Sequence, residues 1–272
     1  MGRQTRVGAH LLAFDSGIGG YGIVGALRAR MPAARITTLA DNAFYPYGEM
    51  PDAALIARIG DVIGRAIRQF EPDAVVIACN TASTMALAAL RERFDLPFIG
   101  CVPPIKWAAS LSRTRTIGLL ATAATVRRPY LRDLAARFAP DCRLLAHGAR
   151  GLADLAEAAF RDQPIDPEAI GREFATLFGQ DGGDAIDTVC IGCTHYSFLL
   201  DALRHATPDR VVWLDPAEAV ARRTEAVLAG LSLRAGGDGG GEALFTAQPF
   251  AAEPLRRSLL RFGYDGFALF DA

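Results

Sequence analysis

Two cysteine stretches carry the chemistry that this sequence offers: Val75-Val76-Ile77-Ala78-Cys79-Asn80-Thr81 and Thr188-Val189-Cys190-Ile191-Gly192-Cys193-Thr194-His195-Tyr196. In each, a β-branched apolar run gives way to a small residue, a cysteine and then hydroxyl or amide side chains. That is the pattern of a buried parallel strand delivering a thiol at its carboxyl end. Helices are expected at 81–92 and 196–205, so each thiol would stand near a helix amino terminus. The partial positive charge there favours thiolate over a thiol of reference pKa about 8.5. Two such thiols suit proton transfer at carbon, one taking a proton from one face while the other delivers to the opposite face. A single cysteine more often fills a core as a small hydrophobe; it is the repeated context that gives Cys79 and Cys193 a chemical reading. Cys101 and Cys142 have no comparable polar companions and are read as packing.

A glycine-rich turn, Asp15-Ser16-Gly17-Ile18-Gly19-Gly20-Tyr21-Gly22, follows an apolar strand at 7–14 and opens a helix running to about Arg30. Gly17, Gly19 and Gly22 satisfy the dinucleotide spacing, and Asp41 ends a second strand at 35–40. A carboxylate at Asp15 would repel the pyrophosphate that such a loop holds, so the dinucleotide reading is rejected. The loop instead sets Asp15 and Ser16 on a cleft floor, with backbone amides close to a small substrate. The next loop, Asp41 to Glu49, is dense in turn formers and aromatics; Tyr47 and Gly48 either bind substrate or cover the sheet edge. Thr122 and Thr125 could cap the helix that follows them or bind a carboxylate, with plain capping the expected duty of one.

The elements that must position these groups alternate as strand and helix along the chain. This predicts an α/β protein of two doubly wound parallel-sheet lobes, with ligands at the carboxyl ends of strands. The lobes are expected over 1–101 plus 214–272, carrying Asp15 and Cys79, and over 102–213, carrying Cys193 and His195. A strand, helix and strand close the chain after a flexible glycine link at 236–241. With 272 residues, 51% hydrophobic and 22% charged, the chain can bury a proper core. Its 29 basic and 30 acidic residues give no bulk attraction to nucleic acid or a membrane surface. Arg3, Arg6 and an apolar segment ending at Asp15 do not make a secretory signal, and no run approaches the roughly 20 apolar residues of a membrane helix. Five cysteines in strand-like contexts imply free thiols in a reducing cytoplasm.

Asp15-Ser16-Gly17-Ile18-Gly19-Gly20, Pro46-Tyr47-Gly48, Ala78-Cys79-Asn80-Thr81 and Gly192-Cys193-Thr194-His195-Tyr196, in that order, resemble the glutamate racemases of the aspartate/glutamate racemase superfamily. Val102-Pro103-Pro104-Ile105 and Trp213-Leu214-Asp215-Pro216 agree, so the resemblance spans nearly the whole chain. It implies cofactor-independent interconversion of L- and D-glutamate, supplying D-glutamate for peptidoglycan and hence for cell-wall biogenesis and cell shape. Its catalytic residues would be Cys79, acting on D-glutamate, and Cys193, acting on L-glutamate, assisted by Asp15 and His195 respectively. Asp15, Ser16, Tyr47, Gly48, Asn80, Thr81, Thr122, Thr194 and His195 would bind the substrate. The resemblance further implies a homodimer, no cofactor and no metal. Two departures stand out. Ser197 replaces a common proline, and 147–150 lacks the cysteine-proline pattern often found before the family acid with which Glu157 aligns. No role is attached to Glu157 or His147.

Other chemistries fit less well. A pyridoxal phosphate racemase needs a lysine, and the only one, Lys106, follows Pro103-Pro104 without a phosphate cup. A cysteine hydrolase using Cys193 and His195 leaves Cys79 idle. A phosphatase loop fails because Met85 holds the arginine position, and an exported two-lobe binding protein would need a signal. The nearest rival is a racemase of the same superfamily acting on aspartate or another acidic amino acid, because one methylene of pocket depth is worth only about 1–3 kcal/mol.

Overall fold

The computed structural model describes residues 8–231 and 239–272. Arg3, Arg6 and the 236–238 part of the glycine link lie outside the described residues. The chain forms two compact units, Met1–Cys101 with Ala217–Ala272, and Val102–Pro216. It opens with β1 (His10–Asp15), α1 (Gly20–Arg30), β2 (Arg35–Ala40), α2 (Asp52–Phe70), β3 (Ala74–Ile77), α3 (Asn80–Arg93) and β4 (Phe98–Gly100). The second unit then supplies α4 (Ile105–Leu111), β5 (Thr116–Ala121), α5 (Ala123–Arg127), α6 (Pro129–Phe138), β6 (Arg143–Gly148), α7 (Leu152–Phe160), α8 (Pro167–Phe178), β7 (Thr188–Gly192), α9 (Leu200–His205) and β8 (Val212–Leu214). Finally α10 (Ala217–Leu228), β9 (Ala243–Phe245), α11 (Ala252–Leu260) and β10 (Ala268–Leu269) complete the first unit.

Among the described residues every strand pairing is parallel, in sheets of order β10-β9-β2-β1-β3-β4 and β6-β5-β7-β8. Both sheets are doubly wound, with the reversal of strand order between β1 and β3 in the first unit and between β5 and β7 in the second. A crevice opens at such a reversal, outside the carboxyl ends of the strands. Residues 214–216, placed in the first lobe by the sequence, lie in the second unit because Leu214 is in register with Cys190 across β8 and β7.

The runs that read as strands do so because both of their faces are covered. In the first unit Leu12, Phe14, Val75 and Ile77 pack with the apolar stripe Leu55, Ile59, Val62, Ile63 and Ala66 of α2, at helical spacing. Alternate residues of the second sheet face opposite cores: Leu120, Val189 and Ile191 lie against α7 and α8. Ile117, Leu119 and Cys190 lie against α4 and α6. At about 1.5–3 kcal/mol for each fully buried aliphatic side chain, these layers hold the strand ends, and what they carry, in fixed register. Among the described residues no helix is long and apolar enough to cross a membrane.

Candidate active site

In the first unit Asp15 ends β1 and Cys79 stands two residues past the end of β3, on either side of the strand reversal. Ala78 N–H donates to the Phe14 carbonyl at 2.7 Å, tying the two strand ends together. Cys79 is the N-cap of α3, and its Sγ accepts the Ala82 N–H at 3.5 Å. The thiol thus occupies the helix position whose orphan donors and dipole stabilise an anion. Asp15 is buried, and its Oδ1 accepts the Gly17 N–H at 2.9 Å and the Ser16 hydroxyl at 3.2 Å. An amide that a dinucleotide site would aim at phosphate is therefore spent on the protein's own carboxylate. Gly20 keeps this corner tight: a Cβ on it would lie 3.1 Å from Asp15 Cβ and 3.2 Å from Ala78 Cβ, so a larger residue would press on both strand ends.

Asn80 and Thr81 begin α3, both buried. Asn80 is 2% exposed, yet neither its Oδ1 nor its Nδ2 finds a hydrogen-bond partner. A buried amide left unpaired costs about 1–3 kcal/mol, which native proteins retain where a ligand supplies the missing partner. Tyr47 is buried in the same core cluster as Cys79, and its hydroxyl donates to Asp41 Oδ2 at 2.7 Å. Burial, and then the Asp41 carboxylate, push the Tyr47 phenol well above its ordinary range. Gly48, next in the loop, is half-buried.

In the second unit Cys193 immediately follows β7, which pairs with β5 so that Ala121 lies opposite Gly192 at the strand reversal. A Cβ on Gly192 would come within 2.7 Å of Ala121 Cβ, so this close strand approach admits only glycine. Thr122, just past β5, caps α5: its Oγ1 accepts the Thr125 N–H at 3.2 Å and bonds the Thr125 hydroxyl. The helix expected from 196 is instead a 3-10 segment over Thr194–Leu199 followed by α9. Tyr196 is fully buried, its hydroxyl donating to the Ala149 carbonyl at 3.0 Å, which fixes the tight turn inward. Thr194 and His195 are buried in this turn.

His195 Nε2 lies 3.1 Å from Glu157 Oε1 on α7, and Arg161, one turn further on, bonds the other carboxylate oxygen. Burial pushes the Glu157 carboxyl up, but the bond and charge of His195, with Arg161, outweigh it and hold the group at about 2. Glu157 is thus an anion that orients His195. The sequence attached no role to it; the i, i+4 spacing to Arg161 was visible, whereas His195 is 38 residues away. His147 is engaged elsewhere, on Glu173. Cys101 is buried just past β4, and burial drives the Cys190 thiol far up, as befits packing cysteines.

Each unit therefore carries one cysteine at the strand reversal of a doubly wound sheet, with the buried carboxylate of Asp15 on the adjoining strand end in the first and His195, held by Glu157 of α7, just past the same strand in the second. The chain belongs to the Asp/Glu/Hydantoin racemase family, whose model matches residues 22–224. It is 56% identical over 220 residues to a glutamate racemase of Granulibacter bethesdensis, covering 81% of this chain and 79% of that one. The crystal structure of Escherichia coli glutamate racemase, in complex with L-glutamate and the activator UDP-MurNAc-ala, superposes with a TM-score of 0.91 at 34% identity, covering 97% of this chain and 98% of that one. That of Thermus thermophilus glutamate racemase, in complex with β-chloro-D-alanine, gives a TM-score of 0.76 at 31% identity, with coverage of 99% and 98%.

Proposed function

We infer that this protein interconverts L- and D-glutamate by proton transfer between two cysteines, without a cofactor, and so supplies D-glutamate for peptidoglycan. The observation that carries this reading is the unpaired, buried amide of Asn80 beside the helix-capping Cys79. A single base would have to reach both faces of the α-carbon, whereas two thiols can serve opposite faces without moving the substrate. Cys79 as thiolate takes the α-proton of D-glutamate while the Cys193 thiol delivers its proton to the opposite face. The product is L-glutamate, with the thiol and thiolate exchanged and poised for the reverse reaction. Asp15 assists Cys79, and His195, oriented by Glu157, assists Cys193. The α-proton is weakly acidic, so the carbanion-like transition state needs preorganised donors and a dry site. Asn80, Thr81, Thr194, Ser16 and the Tyr47-Gly48 loop are assigned to the substrate's carboxylates and amino group, with Thr122 at the margin. A cytoplasmic homodimer belongs to the same reading.

The test is proton NMR of the purified protein with L-glutamate in D2O, without added cofactor, joined to chiral analysis of the product. Loss of the α-proton signal with D-glutamate accumulating is expected. Exchange with aspartate alone would move the substrate, and silence with both would overturn the reading.

A further inference from the structure

Asp41 ends the segment that leads into the 42–49 loop, and its carboxylate is completely buried. Four donors fill it. Tyr47 Oη and Arg58 Nε meet Oδ2 at 2.7 and 3.1 Å, while Arg58 Nη2 and Thr246 Oγ1 meet Oδ1 at 2.7 and 2.8 Å. Two carboxylate oxygens offer about four acceptor positions, so none is left for substrate. Arg58 grips the acid sideways with two parallel bonds, a geometry that a lysine's single ammonium cannot reproduce. Its guanidinium also lies 4.4 Å from the centroid of the Phe44 ring, within the same loop. Arg58 therefore holds the loop twice, at its entry and near its middle. It does so from α2, a helix anchored by the fully buried Leu55, Ile59 and Val62. Thr246, just beyond β9, braces the far side through Asp41 and through the Ala43 N–H at 3.1 Å.

Tyr47 belongs to the same cluster as Cys79 and Phe14, the residue before Asp15. Whatever fixes Tyr47 thus fixes the backbone of 47–48 against the first thiol. We propose that Arg58 is a positioning residue for the glutamate site, holding the Tyr47-Gly48 loop in its binding conformation through Asp41 and Phe44. This rests on the functional reading given above. Arg58 spends its fork on Asp41 and its face on Phe44, so the expected mark is on substrate affinity rather than on the proton-transfer step.

The test compares Arg58→Lys and Tyr47→Phe, singly and together, by racemisation kinetics, thermal melting and hydrogen exchange of the ligand-free 42–50 peptide. Lysine keeps a cation against Asp41 but not the fork on a fully buried carboxylate, so the melting temperature falls by a few degrees while the protein stays folded. The fork is lost, so amide exchange in 42–50 speeds up and KM for glutamate rises about tenfold, while kcat changes by less than about threefold. Both changes act on one anchor, so the double variant is no worse than the poorer single one. The proposal is overturned if Arg58→Lys leaves KM and loop exchange unchanged, or if the two KM effects multiply as independent sites do. Absence of turnover by the wild-type protein would instead overturn the functional reading; the exchange measurement would still decide whether Arg58 holds the loop.

Discussion

Replacing Glu157 by Gln keeps the shape of the side chain and removes the charge that His195 and Arg161 both bond. The carboxyl sits at about 2 instead of its ordinary 4.5. At about 1.4 kcal/mol per pKa unit, this amounts to about 3 kcal/mol of folding stability on a side chain that is 20% exposed. Because the folded value is depressed, that stability is fully present above about 4.5 and is lost as pH falls toward about 2. The variant should therefore be weaker by about 3 kcal/mol at pH 7, equivalent to roughly 6–12 °C in melting temperature for a chain of this size. Both tryptophans, Trp107 and Trp213, lie in the unit that contains Glu157, so urea unfolding followed by tryptophan fluorescence reads that unit selectively. Measured at pH 7, 4.5 and 3.5, the gap between wild type and variant should be widest at pH 7 and should narrow steadily on the acid side. A gap below about 1 kcal/mol at pH 7, or one that stays constant as pH falls, would refute the assignment of Glu157 as the charged partner of His195.

Cys79→Ser should keep the fold, because serine caps helices well, while turnover falls by about a thousandfold for want of an ionisable base. Cys193→Ser should lose as much. In both variants kcat/KM measured by chiral chromatography must fall equally for L- and D-glutamate, since mirror-image substrates are isoenergetic in achiral water; wild-type racemisation by either variant would end the two-base scheme. Asn80→Ala should raise the melting temperature of the ligand-free protein, removing an unsatisfied buried amide worth about 1–3 kcal/mol, and should weaken glutamate binding read by calorimetry. Unchanged glutamate affinity would remove Asn80 from the site.

How much of this could be read from the residues alone follows a physical line. The strand ends bearing Asp15, Cys79 and Cys193 were legible because an apolar run, a small residue and a polar start of helix are local signals. The Thr122 cap was legible for the same reason. The 3-10 turn after Cys193 was not, because it is set by Tyr196 reaching the carbonyl of Ala149, 47 residues away. Glu157 against His195, and Asp41 against Arg58 and Thr246, are likewise meetings arranged by crossovers. Sequence spacing shows which groups exist, while strand order decides which of them meet.

The second unit is one unbroken stretch, Val102–Pro216, whereas the first is assembled from two pieces of chain. In the first sheet, β2 gains its outer neighbour β9 only when residues 243–245 arrive, and Thr246, which braces Asp41, arrives with them. During synthesis, the inserted unit can therefore close its core while the earlier-made sheet still has a bare edge. The Tyr47 loop receives this brace only after the whole second unit has been made. A chain released early would carry both thiols and both strand reversals, yet would lack the clasp that holds the binding loop in place.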